Sequence, residues 1–182
     1  MKNLRVPDFL IITILILASV IPTTAFPKKS ITIGVIFDGI HKDADFVTSE
    51  LKIEVNRLLG ASYQVNMTDE KLINADWKVT RAREGYQQLV NDPAVDIIVG
   101  LGILTGSTIA EKKSFPKPVI AIGLLDPVLY GLPAPLDNQS GVNNLTYAHF
   151  NQSFARDLIN FHEVYQYKKL GVIHYSEFSY LK

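Results

Sequence analysis

The sequence predicts an α/β protein, a flavodoxin-like parallel sheet with helices on both faces. Three observations carry this. The runs Ile31–Phe37, Val95–Val99 and Val119–Gly123 are short, apolar and rich in β-branched residues, without clean alternation, as strands buried on both faces read. Between them lie segments whose apolar residues recur three and four apart, the period of a helix packed along one side. The connections are short, so the order is β-α-β-α-β-α-β, which right-handed crossovers assemble into a parallel sheet.

Taken in order, Met1–Ala25 reads as a signal peptide outside the fold. Lys2 and Arg5 form a positive start, Phe9–Ile21 an apolar stretch, Pro22 a break, and Thr23-Thr24-Ala25 a small-residue cleavage site after Ala25. The apolar stretch is about 13 residues, short of the ~20 that span a bilayer; retention as an anchor is the alternative. Ile31–Phe37 is the first strand, ending at the turn Asp38-Gly39. Asp43 or Asp45 is placed to cap a helix whose apolar face is Val47, Leu51, Val55, Leu58 and Leu59, with Gly60 where a left-handed cap belongs. Tyr63–Met67 is a second strand. A helix follows from Ala75 to Asn91, with Val79, Ala82, Tyr86, Leu89 and Val90 on its buried side, ended by Asp92-Pro93.

The third strand, Val95–Val99, runs into Gly100, Gly102 and Gly106. Thr105 and Ser107 are good N-cap residues for a helix over 107–113, whose N–H groups would face anything polar above the strand end. Val119–Gly123 is a fourth strand. Residues 124–147 are loop-like with a short strand near Val142. A long helix from Ala148 to Tyr165 carries Phe150, Phe154, Leu158 and Phe161, and Lys169–Tyr175 reads as another buried strand. Strand order is not legible. In the flavodoxin-like order 2-1-3-4, Asp38-Gly39 and Gly102–Ser107 would face each other across the switch point, where open α/β sheets bind ligands.

Composition narrows the function classes. The chain has 182 residues, 47% hydrophobic, enough for a packed core. Its 18 basic and 18 acidic residues balance, and without the leader 16 and 17 remain, so nothing points to a nucleic-acid partner. The absence of cysteine excludes disulfides, thiol catalysis and cysteine-based zinc sites. His41, His149, His162 and His174 have no metal-ligand spacing. Gly100, Gly102 and Gly106 resemble a loosened dinucleotide fingerprint, but the spacing is wrong and the loop follows the third strand, not the first. No metal or cofactor is implied. Ser107 lacks the context of a nucleophile, and Asp38, Asp43 and Asp45 lack a partner base or carboxylate for acid–base work. Trp77, Tyr86 and the Phe150/Phe154 stripe read as core. The N-x-S/T sequons at Asn66, Asn138, Asn144 and Asn151 read as chance occurrences.

Two further stretches carry a family resemblance. Asp126-Pro127-Val128-x-x-Gly131-Leu132 is followed by Ser140-Gly141-Val142-Asn143-x-x-Thr146 and, after the long helix, by Lys169-Leu170-Gly171-Val172-Ile173. Together they resemble a branch of the type I periplasmic binding proteins, the substrate-binding proteins of ABC transporters, some of which bind tryptophan or tyrosine. The resemblance covers nearly the whole chain after the leader. It implies two α/β lobes that close on a ligand without performing chemistry, with residues 30–147 as the N-terminal lobe. It makes 148–182 the interlobe helix and first strand of a C-terminal lobe truncated at its start. The implied ligand contacts are Phe37, Asp38 and Gly39, then Thr105, Gly106 and Ser107, then Asp126. The helix start at Thr105–Ser107 would receive a ligand carboxylate, and Asp38 or Asp126 an ammonium group.

The expectation is an exported, periplasmic solute-binding protein that captures a small metabolite, an amino acid among the candidates, and delivers it to an ABC permease. A ligand-sensing module of the same fold that acts on a receptor is the first rival, and an exported α/β enzyme the second.

Overall fold

The computed structural model describes residues 27–39, 44–125, 127–133, 139–149, 154–176 and 179. The proposed leader, Asp43 and Asp126 lie outside the described residues. Six strands form one sheet: β1 (Lys29–Phe37), β2 (Tyr63–Asn66), β3 (Leu72–Asn74), β4 (Ile97–Leu101), β5 (Val119–Leu124) and β6 (Leu145–His149). Among the described residues four α-helices accompany them: α1 (Ala44–Leu59), α2 (Val79–Asn91), α3 (Ile103–Ala110) and α4 (Phe154–Tyr165). The strand path is β2-β1-β4-β5-β6, with β3 also on β1, and every pairing is parallel. β2 pairs with Lys29–Thr32 and β3 with Val35–Phe37, so the two are halves of one strand position interrupted by the 3-10 turn Asp69–Lys71. Counted that way, the order is the flavodoxin-like 2-1-3-4-5, and the direction in which successive strands are added reverses between β1 and β4.

Side chains alternate across the sheet with period two, which assigns each residue to a face. Ile33, Val35 and Val99 point to the side covered by α1, where Leu51 and Val55 pack over them with Val65 and Leu72. Ile36, Ile98, Val119 and Ala121 point to the other side and share a core with Tyr86 and Leu89 of α2 and Ile109 and Ala110 of α3. The α1 side is only partly covered. Ile120 and Ile122 of β5 are each more than a third exposed, so the expectation of strands buried on both faces fails there.

Other expectations shift for identifiable reasons. α2 starts at Val79 rather than Ala75, because Asp76 and Trp77 both adopt positive φ (51° and 57°) and Lys78 N–H donates to Ala75 O at 2.9 Å, a tight turn before the helix. Of its expected buried face, Val79, Ala82, Tyr86 and Leu89 are buried, with Gly85 added, while Val90 is only partly buried. On α1, Leu58 is exposed, and Gly60 follows the helix with its N–H on Asn56 O at 2.8 Å but without a left-handed φ. The strand expected at Val95–Val99 lies two residues later, at Ile97–Leu101, and the helix expected over 107–113 begins at Ile103. The strand expected near Val142 is β6, which extends to His149 and displaces the start of α4 to Phe154. Lys169–Tyr175 forms no strand: it is exposed and is not one of the strands of the sheet. Every described side chain of α4 is exposed as well. No helix among the described residues is long and apolar enough to cross a membrane.

Candidate functional site

Where β1 and β4 end side by side, their chains must part to reach helices on opposite faces of the sheet. Asp38 N–H still donates to Leu101 O at 3.2 Å, one residue beyond the last strand pair, and Gly102 N–H donates to Ile122 O at 2.9 Å. Above these strand ends lies a cavity of about 300 Å³, lined by Phe37, Asp38, Gly39, Val47, Thr48, Trp77, Leu101, Gly102, Ile103, Ile122 and Gly123. It lies at the carboxyl ends of β1, β4 and β5, the usual ligand position in a doubly wound sheet. Its volume falls at the lower end of small-molecule pockets, and Phe37, Val47, Trp77, Ile103 and Ile122 make its walls mainly apolar.

Asp38 forms the floor. Its carboxylate accepts hydrogen bonds from Leu104 N–H (3.0 Å, to Oδ2) and Thr105 N–H (2.7 Å, to Oδ1), two of the N–H groups that the first turn of α3 cannot satisfy within the helix. The negative charge also meets the positive end of the helix dipole. Asp38 is 7% exposed, so this is a buried, charge-assisted cap supplied 66 residues away in sequence. Gly102 makes it possible. It is the residue before α3, with φ 117° and ψ 169°, and a Cβ there would lie 2.3 Å from Asp38 Cγ. Gly123 closes the same corner from β5, at φ 101°, with Gly102 backbone atoms 2.8–3.1 Å from where a Cβ would be.

Trp77 forms the opposite wall. The tight turn that sets its φ positive also joins it to β1: Ala75 N–H donates to Phe37 O at 2.9 Å and Trp77 N–H to Asp38 O at 2.6 Å. The indole lies over Gly39, where a Cβ would come within 2.1–2.4 Å of the ring, and remains 36% exposed. A bulky residue held at positive φ costs of order 1–3 kcal/mol and persists only where its surroundings enforce it. Here the enforcing contacts are Asn74 Oδ1, which accepts Asp76 N–H at 2.8 Å, and the two bonds to β1. Asp76 pairs with Arg81 (3.2 Å) and Lys78 (3.8 Å) on the outer side of this turn.

The residues singled out from sequence therefore divide. Phe37, Asp38 and Gly39 line the cavity. Thr105, Gly106 and Ser107 lie within α3 rather than at its cap, fully buried, and are not among the lining residues. α3 packs close to β5 at Gly106, where a Cβ would meet Leu124 N at 3.4 Å and Ile122 O at 3.5 Å, ordinary contact distances; at Gly100 a Cβ would overlap Ile109 Cδ1 at 2.3 Å. The Thr105, Ser107 and Thr108 hydroxyls are buried without a hydrogen-bond partner among the described residues. Asp126 falls outside the described residues. Sequence reading missed Trp77, which it placed in the core, and Val47, Thr48, Ile122 and Gly123. Gly123 and Ile122 carried a usable signal, since they end an apolar strand run. Val47 and Thr48 did not, because only packing brings α1 to the strand ends.

Among the described residues, no group of His, Cys, Asp and Glu side chains could hold a metal ion. Among the described lining residues Asp38 is the single ionisable side chain, and the walls around it are mainly apolar. Compared with protein-family models, with curated proteins and with solved structures, the chain finds no match in any of the three.

Proposed function

We propose that this protein is an exported solute-binding component of an ABC importer, which captures a small metabolite at the carboxyl ends of β1, β4 and β5 and passes it to a membrane permease. The observation that carries the reading is the mainly apolar cavity of about 300 Å³ at the switch point of a flavodoxin-like sheet. Ligand sites of open α/β sheets gather there, because diverging connections leave a crevice that helices cannot fill. A two-lobed protein would close this crevice with its second lobe. In support, large apolar residues on this face of β5 are unburied: Ile122, which lines the cavity, and Ile120, two residues before it. Apolar surface of this kind marks a place where another surface docks.

The test is a thermal-shift screen of the full chain against amino acids, sugars, nucleosides and small aromatic metabolites. Hits are followed by titration of the intrinsic fluorescence of Trp77, the single tryptophan of the chain. A ligand that binds only the folded state raises stability by RT ln(1 + [L]/Kd), about 2.7 kcal/mol at a hundredfold excess over Kd. A stabilising ligand that also changes Trp77 emission supports capture in this cavity. Absence of any stabilising compound overturns the reading.

A further inference from the structure

Resting on the reading of this cavity as a ligand site, we infer that it takes uncharged or positively charged flat apolar molecules and rejects anions, free carboxylates included. The inference comes from what already occupies the anion position. A helix N-terminus above the end of a parallel strand is the usual place for a ligand carboxylate or phosphate, because its N–H groups and dipole point there. In this chain Asp38 fills that place from within, with one oxygen on Leu104 N–H and the other on Thr105 N–H. Gly102 leaves the space for it, since any side chain at that position would overlap the carboxylate. The helix end is thus neutralised by the protein's own charge.

The remaining wall chemistry agrees. Among the described residues no lysine, arginine or histidine lines the cavity, and Asp38 is the single ionisable residue of the described lining. The nearby cations Lys78 and Arg81 are turned to Asp76 on the outer side of the turn. An entering anion would lose its hydration against Phe37, Val47, Trp77 and Ile122 and meet a buried negative charge at the floor, with no cation in the described lining to offset either cost. A cation would meet the same carboxylate favourably and the face of the Trp77 indole besides. A neutral aromatic ring needs only the apolar walls.

The test uses three probes that share a phenyl ring on a short chain and differ in charge: phenylethanol, phenethylamine and phenylacetate. Each is titrated into the full-length protein, with Trp77 emission and isothermal calorimetry as readouts. The expected order is phenethylamine at least as tight as phenylethanol, and phenylacetate at least tenfold weaker than either. In Asp38→Asn, which keeps the side-chain shape and one acceptor oxygen, the gap between amine and acid is expected to shrink several-fold. Circular dichroism confirms the fold of that variant, and the wild-type series stands without it. Phenylacetate binding as tightly as phenylethanol overturns the charge selection while leaving the ligand-site reading in place. Failure of all three probes, with a different compound stabilising the protein in the broad screen, overturns the inferred ligand class alone. Failure of the probes together with the whole screen overturns both.

Discussion

Gly102→Ala probes the corner on which the site is built. The new methyl group would lie 2.3–2.6 Å from the Asp38 carboxylate, so the carboxylate must move, and with it the bonds to Leu104 N–H and Thr105 N–H. Hydrogen bonds to a charged group contribute roughly 1.5–3 kcal/mol each. Alanine at φ 117°, ψ 169° adds about 1–3 kcal/mol of backbone strain, since that region is essentially reserved for glycine. Allowing for partial relaxation, the expected loss is roughly 4–6 kcal/mol, a large share of the ~5–15 kcal/mol that a domain has. Urea denaturation followed by far-ultraviolet dichroism and Trp77 emission measures it. A double-mutant cycle with Asp38→Ala separates the two contributions. Once the carboxylate is gone, Gly102→Ala should cost only the strain, giving a coupling of about 2–3 kcal/mol, at the upper end for residues in contact. A coupling below about 0.5 kcal/mol, within the scatter for independent sites, would refute the assignment of Gly102 as the residue that admits the Asp38 cap.

Four further outcomes are expected. Tyr86→Phe should leave stability unchanged or raise it by up to about 1 kcal/mol, because the Tyr86 hydroxyl is buried without a hydrogen-bond partner among the described residues; a loss above 1 kcal/mol in urea would reveal a partner. Burial also pushes the Tyr86 phenol above its ordinary pKa, so its absorbance should titrate only at strongly alkaline pH or on unfolding. Asp92 accepts hydrogen bonds from Lys71 and from Ala94 N–H, in that order of influence, and its carboxyl is held below the usual range. The folded pKa lies below the unfolded one, so the stabilisation is present above about pH 4 and is lost as pH falls through the folded value. The stability difference between wild type and Asp92→Asn should accordingly be flat near neutrality and shrink in acid, and growth of that difference below pH 4 would reverse the sign. Finally, Gly39→Ala should drive the indole of Trp77 off its seat, because a Cβ there would overlap the ring at 2.1–2.4 Å; the expected result is a shifted emission maximum and a weakened ligand response, and an unchanged spectrum would contradict the contact.

What the sequence by itself determined is the part governed by local period and by turn chemistry. The apolar runs of β1, β4 and β5 and the three-and-four spacing of Val79, Ala82, Tyr86 and Leu89 are properties of neighbouring residues. They specify strand, helix and buried face without reference to the rest of the chain. The polar break after each run likewise marked Asp38-Gly39 as the end of a strand. Tertiary structure decided which strands are neighbours, and that placed Asp38 beside Gly102. Asp38 reads locally as a turn residue and Thr105 as a cap. Only when β1 lies against β4 does the aspartate, 67 residues away, reach the Thr105 N–H and turn the supposed cap into an interior helical residue. Trp77 follows the same logic: its indole is one more apolar side chain until the turn at Ala75–Lys78 is tied to the end of β1. The reason is physical. Periodicity encodes which face of an element is apolar, whereas a carboxylate at the foot of a helix is selected by its distance in space, which no spacing along the chain records.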